Sequence, residues 1–113
     1  MQLPLADLAV VTPDKVRDYL LLPTHPVGRH KARFLGSLGY WRPRWEVLAV
    51  ALRTLARRGE AVKIPTPPYG TKYLVGGMLR GPGGRESWVE TVWIIRADDP
   101  RPHLVTAFPG APR

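Results

Sequence analysis

The chain has 113 residues, 44% of them hydrophobic and 23% charged, which is the composition and length of one folded domain rather than of a disordered or fibrous chain. It has no cysteine, so disulfides, thiolate metal sites and a cysteine nucleophile are excluded, and no apolar run approaches the roughly 18 residues of a membrane span. Seventeen Lys and Arg against nine Asp and Glu give a net charge of +8, which favours an acidic partner.

The opening segment, Met1-Gln2-Leu3-Pro4-Leu5-Ala6-Asp7, lacks a basic run ahead of an apolar one, so a cytoplasmic location, or a domain cut from a larger exported protein, is expected. Thr12-Pro13-Asp14 reads as a helix start, with a capping hydroxyl, a proline at the first helical position and an acid at the positive end. That helix carries Val16, Tyr19 and Leu20 and ends before Pro23. A second helix is predicted over residues 28–38, with Phe34, Leu35 and Leu38 on one face and Gly39 as its stop. Arg42-Pro43-Arg44 opens a third, in which Trp45, Leu48, Leu52 and Leu55 recur at helical spacing until Gly59.

From there the period changes to that of strands. Residues 71–80 are extended, with Gly76-Gly77 as a candidate bulge. Gly81-Pro82-Gly83-Gly84 reads as a hairpin loop leading into residues 85–96, rich in Trp, Val, Thr and Ile. Asp98-Asp99-Pro100-Arg101-Pro102 reads as a turn before a last strand over residues 103–108, and residues 60–66 are a candidate fourth strand. Short connections imply an antiparallel meander. The expectation is an α+β fold in a single domain of 113 residues. Its helical part, about 12–58, would form two to three helices packed on one face of a three- to four-stranded sheet, about 60–109, and the other face would stay open.

Charge is concentrated in residues 25–58, which carry +7 of the total through Arg29, Lys31, Arg33, Arg42, Arg44, Arg53, Arg57 and Arg58 against Glu46 alone. Such density attracts polyanions, nucleic acid above all. Within it, His25-Pro26-Val27-Gly28-Arg29-His30-Lys31 places imidazoles and cations at a helix start. Imidazole is a general base near neutral pH, and an ammonium or guanidinium stabilises developing phosphate charge.

A second group lies on the strands: Arg80, Arg85, Thr91, Trp93, His103 and Thr106. On an open sheet face, hydroxyl, guanidinium and aromatic groups hold a phosphate and stack a base. Taken singly, Thr91 and Trp93 are also ordinary strand formers. Lys72 and Tyr69, around the turn Thr66-Pro67-Pro68-Tyr69-Gly70, form a candidate lip over a groove. The chain shows no zinc-protease, nucleophile-elbow, phosphate-loop or dinucleotide motif. No metal site and no cofactor are therefore expected.

The segment His25-Pro26-Val27-Gly28-Arg29-His30-Lys31-Ala32-Arg33-Phe34-Leu35 resembles the H-P-x-G-x-x-K-A-x-F-F motif of a bacterial domain family of unknown function. Gly81-Pro82-Gly83-Gly84-Arg85, Thr91-Val92-Trp93-Ile94 and Thr106-Ala107-Phe108-Pro109 resemble its further motifs, the last with Phe108 in place of a tyrosine. The order of helices then meander is in turn similar to the Barnase–EndoU–colicin–RelE group of ribonuclease toxins. That likeness implies a small, basic, metal-independent ribonuclease neutralised by an acidic antitoxin or immunity protein.

Two functions are carried forward. The first is an endoribonuclease in which His25 takes the 2′-hydroxyl proton, Lys31 and Arg85 stabilise the phosphorane, and Thr106 or Thr91 orients the phosphate. RNA would be held by Arg29, Arg33, Arg80, Lys72, Thr91 and Trp93. The second is a non-catalytic basic module that binds nucleic acid or an acidic protein through residues 25–58.

Overall fold

Residues 1–112 are described by a computed structural model. A 3-10 turn, Ala6–Leu8, precedes α1, Pro13–Lys15, which starts where the backbone leaves an extended Thr12 and Pro13 takes the first helical position. Only this first turn is α-helical. The chain continues as a π-helical turn, Val16–Leu20, closed by the Leu21 N–H donating to the Val16 carbonyl at 2.9 Å. The helix predicted from Pro13 to Leu20 is therefore wider at its end, which holds one residue more than an α turn.

α2, Arg29–Ser37, buries Ala32 and Leu35, and Leu38 is buried just beyond its end. The 3-10 turn Arg42–Arg44 leads into α3, Trp45–Arg58, whose buried stripe is Leu48, Ala49, Leu52, Leu55 and Ala56. Arg57 and Arg58 stand in its last turn, where cations meet the negative end of the helix. Among the described residues no helix is long and apolar enough to cross a membrane.

The second half is one antiparallel sheet in the order β1-β2-β3-β4, formed by Glu60–Pro65, Thr71–Arg80, Glu86–Arg96 and Asp99–Pro109. N-terminal helices followed by a C-terminal meander make the fold α+β. The candidate fourth strand is β1. Gly76-Gly77 makes no bulge, because β2 pairs with β3 without interruption from Thr71↔Ile95 to Arg80↔Glu86. The irregularities lie in the pairing of β4 with β3, whose register shifts between Val92 and Trp93 and again between Ile94 and Arg96. Leu104 and Ala107 are consequently both buried, three residues apart, with Val105 and Thr106 between them. β4 also begins at Asp99 rather than His103, taking in Pro100 and Pro102. An outer strand tolerates prolines because one row of its backbone groups pairs with no strand; here the Pro102 carbonyl instead accepts the Val10 N–H at 2.8 Å.

The covered sheet face carries Tyr73, Val75 and Leu79 of β2, Val89, Thr91 and Trp93 of β3, and Leu104 and Ala107 of β4. These pack with Leu35, Leu48, Leu52 and Leu55 of the helices, each such burial being worth about 1.5–3 kcal/mol. Two polar groups cross this core as a relay. The Trp93 indole N–H donates to the Thr91 hydroxyl at 2.7 Å, and that hydroxyl donates to the Val75 carbonyl at 2.7 Å.

The opposite face is built of cross-strand rows. One runs Ile64, Lys72, Ile94, His103, and the next runs Val62, Leu74, Val92, Thr106. Apart from Lys72, His103 and Thr106, these two rows are apolar, which is a poor surface for a phosphate backbone.

Candidate functional site

Tyr19 is the centre of the cleft where the helices meet β4. It lies in the π-helical turn, and its phenol stands 2.9 Å from the Thr106 hydroxyl. The partners are 87 residues apart in sequence. The register shift of β4 leaves Thr106 partly exposed beside this helical turn, and the wide turn carries Tyr19 to meet it.

Three more side chains close around the ring. His25 meets it edge-on, with centroids 5.0 Å apart and planes at 69°. Lys31 of α2 places its Nζ 5.5 Å from the ring centroid, and Lys15 of α1 places its own at 6.0 Å. Both fall within the range of cation–π attraction. The cleft has a volume of about 590 Å³ and is also lined by Asp14, Asp18, Val27 and Val105. Asp18 is already engaged: Arg17 grips it through Nε and Nη2 at 2.8 Å each, and Arg42 adds a bond at 3.2 Å.

The phenol is more acidic than an ordinary tyrosine. Burial alone would push it up from 10, but the hydrogen bonds from Thr106 and Lys31 and the charges of Lys31 and Lys15 outweigh burial and bring it down. An ionised oxygen here has donors and two positive charges waiting for it.

His25 is held differently from expectation. Its Nδ1 accepts the backbone N–H of Val27 at 3.0 Å and of Gly28 at 2.9 Å, which fixes the turn that launches α2. A neutral imidazole accepting at Nδ1 carries its proton on Nε2.

Of the four expected catalytic residues, His25, Lys31 and Thr106 come together and Arg85 does not. Val92 is the partner of Thr106, and Arg85 precedes it by seven residues, in the loop just before β3, about 23 Å away in extended chain. Thr91 and Trp93 are each 0% exposed, so neither touches RNA; they are on the helix-covered face, satisfied by their relay. Arg80 is exposed at the far end of β2, bridged to Glu86 at 3.7 Å. Lys72 lies on the helix-free face, in the row of His103. Arg29 and Arg33, four residues apart on α2, share a solvent-facing side roughly opposite Lys31. His103 is bonded to Asp99 at 2.9 Å, and Asp99 is also gripped by Arg101, whose hydrogen bonds hold its carboxyl well below the usual range.

Gly28 explains the spacing of the His25-Pro26-Val27-Gly28 segment. A Cβ there would stand 2.6 Å from the Tyr19 carbonyl oxygen and 2.8 Å from its ring, so only glycine lets α2 pass this close. A family model for a domain of unknown function, DUF6883, matches residues 2–111. The chain belongs to the DUF6883 family. The fold of this DUF6883 domain is also that of a chain in the contact-dependent growth inhibition toxin–immunity protein complex from Klebsiella pneumoniae 342. The two superpose with a TM-score of 0.72 at 23% identity, over 89% of this chain and 99% of that one. No curated protein matches the chain.

Tyr19 is the residue that sequence reasoning passed over, having placed it only on a helix face. The signal lay in the glycine four residues beyond Thr24, at the start of α2, which has no conformational need to be glycine, since its φ of −85° is open to any residue.

Proposed function

We propose that the chain is a toxin-like endoribonuclease that cleaves RNA without a metal ion at the Tyr19 cleft. The observation that carries this is the acidified phenol, bonded to Thr106 and flanked by Lys31 and Lys15. Tyr19, as phenolate, takes the proton of a ribose 2′-hydroxyl. The freed oxygen attacks the adjacent phosphorus, the bond to the 5′-oxygen breaks, and a 2′,3′-cyclic phosphate and a 5′-hydroxyl remain. The Lys31 and Lys15 ammoniums oppose the charge that gathers on the phosphorane. Thr106 and the Nε2–H of His25 donate to its non-bridging oxygens, and Lys31 returns a proton to the departing oxygen.

In this reading Arg29 and Arg33, exposed on α2, hold the RNA backbone. The net charge of +8 fits the toxin side of a toxin–immunity pair, which makes an acidic immunity protein or antitoxin the natural protein partner. A cytoplasmic site of action follows from an RNA substrate.

The test is incubation with transfer, ribosomal and messenger RNA in EDTA, followed by analysis of the ends. Cyclic-phosphate termini from the wild type, lost in Tyr19→Phe and Lys31→Met, are expected. Intact RNA in every case, or unchanged cleavage by Tyr19→Phe, sinks the proposal. Salt-sensitive RNA binding with no cleavage would instead favour a non-catalytic basic module.

A further inference from the structure

β1 is shorter than β2. Its six residues pair with β2 only from Thr71 to Gly76, so residues 77–80 have β3 on one side and no strand on the other. The C-terminal half of α3 passes beside this free edge and encloses with it a groove of about 580 Å³. Ala51, Leu55, Met78 and Leu79 give the groove an apolar lining, and Arg58 and Arg80 stand at its rim.

We propose that this groove binds an extended acidic segment of a partner protein, which adds to the sheet as a further strand along residues 77–80. A free strand edge offers a row of backbone donors and acceptors that another extended chain satisfies. Folded proteins defend such edges with proline, bulges or inward charges. Here the stretch has no proline and no break in register, and Met78 is 56% exposed. The apolar lining suits β-branched side chains on alternate positions of the incoming strand.

Charge selects the occupant. Arg58 and Arg80 are exposed at the rim and Arg57 is close by in the last turn of α3. Among the described residues that line the groove, Glu60 is the one carboxylate, against Arg58 and Arg80. A second copy of this chain would bring its own Arg58 and Arg80 against these, so like-charge repulsion disfavours self-pairing. The groove is two strands away from β4 and needs no RNA cleavage to operate.

The test is an amide NMR titration of the full chain with the capped peptide Glu-Val-Thr-Val-Glu-Val, with its lysine-for-glutamate counterpart, and with a form N-methylated on alternate residues. Shifts from the acidic peptide are expected at residues 77–80 and along α3. Binding is expected to weaken about tenfold with the N-methylated peptide and in the Arg58→Glu, Arg80→Glu chain, whose folding is checked by its thermal transition. Tyr19→Phe is expected to bind the peptide as before, so this inference and the ribonuclease reading fail separately. The proposal is overturned by no shifts at millimolar peptide, by shifts confined to α2 and the Tyr19 cleft, by equal binding of the N-methylated form, or by shifts at residues 77–80 that depend on the concentration of the chain alone.

Discussion

Gly28 and Tyr19 are in direct contact: a methyl group on Gly28 would stand 2.6 Å from the Tyr19 carbonyl and 2.8 Å from its ring. Gly28→Ala is therefore expected to push the Tyr19 ring off Thr106 while leaving α2 helical, since alanine suits its backbone angles. Cleavage should fall about a hundredfold, the usual scale for an ångström of misplacement. The thermal transition should fall as well, because the nearest atom in the clash is the Tyr19 backbone oxygen, so cleavage is compared per folded molecule. A fully active Gly28→Ala chain would show that the 2.9 Å bond to Thr106 is dispensable.

The pH profile follows from the acidified phenol. Burial opposes ionisation of Tyr19, but Thr106, Lys31 and Lys15 prevail and its folded value lies below 10. Tyr40 moves the other way, because burial raises it. Phenolate absorbance should therefore show Tyr19 ionising before Tyr40, and Tyr19→Phe should remove the earlier step. As a base, Tyr19 makes the rate climb with pH up to its folded value, and Lys31→Met shifts that climb upward. Stability linked to the ionised phenol is present above the unfolded value near 10 and is lost as pH falls through the folded one.

Thr91→Val separates a core role from an RNA-binding one. It leaves the Trp93 indole N–H and the Val75 carbonyl without their shared hydroxyl. Denaturant unfolding should report a loss of about 2 kcal/mol, the cost of stranding buried polar groups. Cleavage per folded molecule should stay at the wild-type level, because the side chain is 0% exposed.

Arginine position makes a further contrast. Arg85→Ala is expected to leave cleavage unchanged, because Arg85 lies before the start of β3, about 23 Å of extended chain from the level of Thr106. Arg29→Ala with Arg33→Ala should weaken RNA binding and reduce its salt dependence, by about one unit of slope per lost phosphate contact. Filter binding across a salt series reads both.

The layout of the fold was legible because its signals are local. Leu48, Leu52 and Leu55 mark α3, and Gly81-Pro82-Gly83-Gly84 marks the hairpin. Gly81 fits because a Cβ there would collide with the Leu38 carbonyl, which also accepts the Gly83 N–H at 3.1 Å. The faces of β3 were separable by alternation, yet which face the helices cover was not, and so Thr91 and Trp93 were assigned to the open side. Residue chemistry grouped His25, Lys31, Arg85 and Thr106; the first, second and fourth lie around Tyr19, and Arg85 stands apart because no local signal fixes its distance from β4. The part of Tyr19 was hidden because it depends on two irregularities, the π-helical turn and the shifted register of β4, which no hydrophobic period announces. The two hydrogen bonds into Nδ1 of His25 were equally unreadable, since they depend on backbone geometry.

The turn Val16–Leu20 also constrains how this chain can drift. A π turn is an α turn carrying one extra residue, and shedding that residue would yield a tighter coil with better backbone bonding. The same deletion would swing every later side chain of the turn by about 100°, the angular step per residue of an α coil, and carry the phenol away from β4. Length variation in this short stretch is thus closed to a lineage that uses the cleft, and an open field for one that has abandoned it.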